Sequence, residues 1–188
     1  MHDLVATNPL GGSGPRTDDF GAVVISECPD WALSSVATRQ GQESEFTRAA
    51  ERVLGFALPE VGQCASKSPL AAFWTGPEQW MIEAPHDTHE DLPGQMKSAF
   101  GDAASVTEQT DGWVRFDLQG PRCCDALERL CNVNTRTMPS AHVTRTLLEH
   151  LGCFLICRTH HTHFSIFGPR SSAGSLHHAL LTAAKSVI

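Results

Sequence analysis

The sequence predicts an α+β fold with largely antiparallel sheets, and three observations predict it. Amphipathic helical stripes alternate with groups of adjacent strands, where a doubly wound parallel fold would alternate them with single strands. The strand candidates are short, rich in β-branched and aromatic residues, and separated by corner dipeptides such as Gly76-Pro77 and Asp111-Gly112. The order β-β-α-β-β-α-β, then β-α-β-β-β-α, divides into two ferredoxin-like halves, about 21–110 and 111–188, of one globular domain over 21–188.

Residues 1–20 are rich in Gly, Pro, Ser, Asn and Asp, and are expected to form a flexible N-terminal arm. Ala22–Ser26 and Trp31–Thr38 are strand candidates, with Cys28-Pro29-Asp30 as the turn between them. Phe46, Ala49, Ala50, Val53 and Leu54 recur at helical spacing and predict a helix over about 43–54, ended by Gly55. Ala57–Gly62 interrupts regular structure. Leu70–Thr75 and Gln79–Glu83 form a hairpin across Gly76-Pro77. Leu92, Met96 and Phe100 mark a second helix before Gly101.

Ala104–Glu108 and Trp113–Leu118 are two further strands, joined across the tight-turn dipeptide Asp111-Gly112. Gly120-Pro121-Arg122 opens a third helix, with Pro121 in its first turn and Cys123, Leu127, Leu130 and Cys131 on one face. His142–Leu148 and Leu151–Arg158 flank Glu149-His150, and Phe164–Phe167 pairs back onto the second of them. A last helix over about 171–186 buries Leu176, Leu180, Ala183 and Val187.

The composition excludes several classes. An apolar content of 41% with 19% charged residues is that of an ordinary globular chain. The net charge of −7 and the absence of a Lys/Arg cluster disfavour nucleic acid. No stretch approaches the ~20 apolar residues of a membrane span. The N-terminus has neither the basic nor the apolar region of a secretory signal. Seven cysteines, with no C-x-x-C spacing, are then expected as reduced thiols in a cytoplasmic protein.

Few residues offer chemistry. His160, His161 and His163 crowd one stretch, with Cys153 and Cys157 upstream. On a straight strand His161, His163, Cys153 and Cys157 share a face, yet the turn back into Phe164–Phe167 falls inside the same stretch and breaks that parity. A solvated hairpin tip is expected, with no metal bound. Cys123-Cys124 at a helix start could carry a reactive thiol, because the dipole lowers its pKa, but buried inert cysteines are the expectation. Arg170, ahead of the last helix, is a candidate for a partner's carboxylate or phosphate. Asp111 and Asp117 flank Trp113 without forming a compelling acid–base pair. Trp74 and Trp80 bracket the Gly76-Pro77 corner, where large aromatics can hold an interface.

Four segments, taken in order, resemble a known family. They are F-W-T-G-P-E-Q-W-M-I (73–82), D-G-W-V-R-F-D-L-Q-G-P-R-C-C-D-A-L-E-R-L-C (111–131), R-T-L-L-E-H-L-G-C-F-L-I-C-R (145–158) and F-S-I-F-G-P-R-S-S-A-G-S-L-H-H-A-L-L-T-A-A (164–184). Together they resemble the γ subunit of heterotetrameric sarcosine oxidase over roughly residues 20–186.

The resemblance implies a fold related to the folate-binding aminomethyltransferase, the T-protein of the glycine cleavage system. It implies a non-catalytic assembly subunit among α, β and δ subunits, held chiefly by α. The complex so implied oxidises sarcosine with O₂ to glycine and hydrogen peroxide and passes the one-carbon unit to tetrahydrofolate. FAD, FMN, NAD, zinc and tetrahydrofolate are expected on the other subunits, and no cofactor, metal or catalytic residue on this chain. The interface is expected at the arm, the Trp74/Trp80 corner and Arg170, and self-association is expected of the isolated chain. The alternative is a stand-alone folate-binding aminomethyltransferase-like protein using Asp111 or Asp117 as its acid or base.

Overall fold

The computed structural model describes residues 7–188. They form eleven strands and four α-helices in two compact units. Among the described residues, one unit comprises 7–29, Gly112–Ser140 and Thr144–Ile188; the other comprises Asp30–Asp111 and Ala141–Val143. Each is built on one antiparallel sheet.

The second unit runs β3 (Trp31–Thr38), α1 (Glu43–Leu54), β4 (Cys64–Lys67), β5 (Leu70–Gly76), β6 (Gln79–Pro85), α2 (Leu92–Phe100) and β7 (Ala104–Glu108). Its strand order is β4-β5-β6-β3-β7, which is the ferredoxin-like arrangement with β4 added at one edge. Helix α1 forms where the stripe predicts it. Gly55 ends it in the left-handed conformation, φ 73°, with its N–H on the Glu51 carbonyl. Helix α2 is capped by the Asp91 carboxylate, which accepts from the Gly94 N–H at 3.1 Å.

The stripes of both helices, Phe46, Ala49, Ala50 and Leu54 with Leu92, Met96 and Phe100, meet Ala32, Val36, Ala72 and Ile82 of the sheet. Phe46 stacks on Phe100 with ring centroids 5.0 Å apart, and full burial of such a side chain contributes about 1.5–3 kcal/mol.

The first unit holds β1 (Thr17–Asp19), β2 (Val24–Glu27), β8 (Trp113–Gln119), α3 (Cys123–Leu127), β9 (His142–Leu148) from Thr144 onward, β10 (Leu151–Thr159), β11 (His163–Pro169) and α4 (Ala173–Lys185). Its strand order, β9-β10-β11-β8-β2-β1, repeats the other sheet position for position, with β2 where β7 stands and β1 added outside it. The place of the last ferredoxin strand, beside β8, is filled by β2. Phe116, Leu118, Leu155, Phe164 and Ile166 of the sheet pack against Leu127 of α3 and Leu176, Leu180 and Ala184 of α4.

Five expectations are corrected. Cys28-Pro29-Asp30 does not turn a hairpin: β2 pairs with β8 and β3 with β6, in different sheets. Asp111-Gly112 likewise lies in a 3₁₀ turn, Thr110–Gly112, between β7 and β8, which belong to different sheets. Strand β4 was not expected, because Cys64-Ala65-Ser66-Lys67 is a half-exposed edge with no apolar alternation. Helix α3 is only five residues long. Pro121 precedes its cap residue Arg122, and tighter bonds such as Leu130 N–H to the Leu127 carbonyl unwind it before Cys131.

The fifth concerns the arm. Residues 1–6 lie outside the described residues. From Asn8 onward the segment is tied down: β1 pairs with β2, and the buried Glu27 carboxylate accepts the N–H groups of Leu10 (3.0 Å) and Arg16 (3.1 Å). Asp18 receives Arg16 Nε at 2.9 Å and lies 2.8 Å from His177 Nε2 on α4.

Candidate functional site

A buried polar cluster is built on β8, β10 and β11. Arg115 and Asp117 are two apart on β8 and therefore share a face. Antiparallel register sets Ser165 of β11 opposite Asp117. Arg115 grips Asp117 with both prongs, Nε to Oδ1 at 2.8 Å and Nη2 to Oδ2 at 2.9 Å. Ser165 Oγ donates to Oδ1 at 2.7 Å and itself accepts from Arg158 Nε at 2.9 Å. His163 Nε2 lies 3.0 Å from Oδ2.

Asp117 is 8% exposed and Ser165 fully buried. Burial alone would raise the Asp117 carboxyl. Hydrogen bonds from His163, Arg115 and Ser165 and the Arg115 charge outweigh it and hold the group well below the usual carboxylate range. An ionised carboxylate only accepts, so His163 must carry its proton on Nε2, and Nδ1 is the ring's remaining group. Across β2, Cys28 feels the same cluster: burial, then the nearby Asp117 charge, pushes its thiol up to about 11.

This arrangement holds a charge in place. Both Asp117 oxygens are occupied twice over, so the carboxylate has no vacancy for a substrate proton. The group with room for chemistry is His163, whose side chain is 25% accessible.

The other candidates are dispersed. His160 and His161 stack with ring centroids 3.7 Å apart and are turned to the 136–138 segment: His160 Nδ1 meets the Met138 carbonyl and His161 Nε2 the Arg136 carbonyl, each at 2.8 Å. His161 sits at φ 65° in the turn, which separates it from His163 and from Cys153 and Cys157 in the core. Among the described residues no group of three or more His, Cys, Asp or Glu side chains is placed to hold a metal.

Cys123 and Cys124 are buried, their thiols directed to the Thr162 and His161 carbonyls. Burial pushes Cys123 up to about 12, the opposite of a reactive thiol, and a five-residue helix has little dipole to oppose it. Arg170 donates to the Thr7 carbonyl at 3.0 Å. Trp74 stands opposite Trp80, whose Nε1 donates to the Pro59 carbonyl at 2.9 Å and whose ring lies against Phe46. Asp111 is exposed and Asp117 buried, and they fall in different units. Sequence reasoning missed the cluster; the spacing Arg115-x-Asp117 is the one local signal it carries, and Arg158, His163 and Ser165 join it only through strand pairing.

The fold is α+β, two antiparallel sheets with few helices, and it is similar to that of aminomethyltransferase-like proteins. One solved structure it resembles is a heterotetrameric sarcosine oxidase from Corynebacterium sp. U-96, in complex with pyrrole 2-carboxylate. The TM-score is 0.76 at 20% identity, over 87% of this chain and 84% of that one. Another is the glycine cleavage system aminomethyltransferase T from Bartonella henselae, with TM-score 0.59 at 16% identity, over 82% of this chain and 44% of that one. The chain thus spans less than half the length of that aminomethyltransferase. No protein-family model and no curated protein sequence matches the chain. No helix among the described residues is long and apolar enough to cross a membrane.

Proposed function

We propose that this chain is a non-catalytic assembly subunit of a sarcosine oxidase-type heterotetramer, in the position of its γ subunit. One observation carries the proposal: the fold matches a chain of such an assembly over nearly the whole of both chains, but less than half of a complete aminomethyltransferase. The saturated Asp117 supports it, because the acid nearest to a catalytic group is committed to Arg115, Ser165 and His163. In this proposal the complex oxidises sarcosine with O₂, yielding glycine and hydrogen peroxide and delivering the one-carbon unit to tetrahydrofolate. Partner α, β and δ subunits carry FAD, FMN, NAD, zinc and the folate site, in the cytoplasm.

The test is isolation of the tagged chain from its own cells, with mass and absorbance of the eluate recorded. A yellow complex of four chains that oxidises sarcosine is expected. A colourless lone chain overturns the proposal.

A second reading, a stand-alone folate-binding protein, draws on the aminomethyltransferase likeness and on the partly accessible His163 beside Asp117. It requires the isolated chain to bind tetrahydrofolate and Asp117→Asn to lose that binding.

A further inference from the structure

We infer that the outer edge of β9 is the docking site for an extended acidic segment of a second, different polypeptide; this rests on the subunit reading above. Strand β9 is the terminal strand of its sheet. The Gln63–His142 bridge covers its beginning. Beyond that bridge, no strand among the described residues pairs with its outer edge over Thr144–Leu148.

Open edges invite pairing, and proteins blunt them by shortness or charge. The opposite edge of the same sheet, β1, is three residues long and carries Asp18 and Asp19. Edge strand β4 of the other sheet is four residues long and ends on Lys67. Strand β9 is seven residues long, with neither Pro nor Lys. Its one charge, Arg145, is drawn over the Phe154 ring at 5.7 Å.

The surroundings specify the occupant. Leu147 is 61% exposed, one of three large hydrophobic side chains exposed among the described residues. It lines a cleft of about 650 Å³ together with Arg129, Leu130 and Arg145; a second cleft, of about 710 Å³, lies past the end of β9, beyond Glu149, and is lined by His150, Leu151 and His178. Of the two carboxylates at these clefts, Glu128 is bound by Arg136, which leaves Glu149. On a chain of net charge −7, Arg129 and Arg145 against Glu149 alone make the cleft beside Leu147 locally basic. It complements a strand with an apolar residue between acidic ones. Backbone pairing would supply affinity and the cleft beside Leu147 the selectivity. A second copy of this chain, itself acidic, meets the surface less well.

The test uses the full chain in its own cells. A photo-crosslinking benzoylphenylalanine replaces Leu147, the adduct is sequenced by mass spectrometry, and Leu147→Asp is compared with the wild type for retention of co-purifying chains. Expected are an adduct on an acidic extended segment of another chain and roughly tenfold weaker retention by Leu147→Asp with unchanged melting. Retention of the other chains by Leu147→Asp, or an adduct only on a second copy, overturns the docking site while leaving the subunit reading intact. If the wild type retains no other chain, both fall.

Discussion

Arg115 and Asp117 form a two-pronged ion pair on adjacent positions of one strand face, with side chains only 9% and 11% accessible. Pairs this buried add little over an apolar replacement, but losing one partner strands the other. Arg115→Ala should therefore destabilise the chain by roughly 3–5 kcal/mol, read as a lower urea midpoint at neutral pH. A midpoint unchanged from wild type would mean that solvent reaches the pair.

The same carboxylate sets an acid limit. Its folded pKa is depressed, so its contribution is complete above the ordinary carboxylate value of about 3.9 and is lost as pH falls below that value toward the folded one. Urea midpoints taken from pH 7 to pH 3 should fall for the wild type. They should fall less steeply for Asp117→Asn, which starts lower and has no proton to take up.

Two glycines separate backbone from side-chain crowding. A Cβ at Gly120, φ 129°, would come within 2.4 Å of the Ala22 carbonyl oxygen, whereas at Gly168 it would meet the end of the Leu176 side chain at 2.5 Å. Side-chain overpacking costs about 1–3 kcal/mol, and strained backbone against backbone costs more. Thermal melting should rank Gly120→Ala well below Gly168→Ala, and Gly168→Ala below wild type.

The thiols report the core. Cys123, Cys124, Cys153 and Cys157 are buried, and burial pushes Cys153 up to about 11. Ellman's reagent at pH 8 should leave these four unlabelled in the folded chain and reach all seven thiols in urea. Fast labelling of Cys123 would contradict its place beneath the β10–β11 tip.

Glu27 ties the N-terminal segment through the N–H groups of Leu10 and Arg16. Glu27→Ala should speed tryptic cleavage after Arg16 severalfold, while sites in α1 and α4 stay protected. Equal cleavage in both proteins would assign the hold to the Asp18–His177 contact instead.

Helices α1, α2 and α4 were legible because helical periodicity is local: Phe46 to Leu54, Leu92 to Phe100 and Leu176 to Val187 each declare a buried stripe within one segment. Strands β3, β7 and β10 were legible in extent for a similar reason, the run of β-branched and apolar residues between turn signals. Their partners were not. The alternation in Val24–Glu27 is the same whether the strand pairs with β3, its neighbour in sequence, or with β8, far along the chain. The polar edge strand β4 left no periodic mark at all.

The sequence by itself thus determined helices α1, α2 and α4, most strand positions and the α+β class, since these follow from interactions between residues a few positions apart. Tertiary structure alone decided that β2 fills the place of a last ferredoxin strand, that His160 and His161 turn away from His163, and that Asp117 is held by Arg115 of its own strand and by Ser165 and His163 of β11. Those outcomes depend on pairings between distant segments. Their free energy arises only when both strands are present, so no single segment carries their signature.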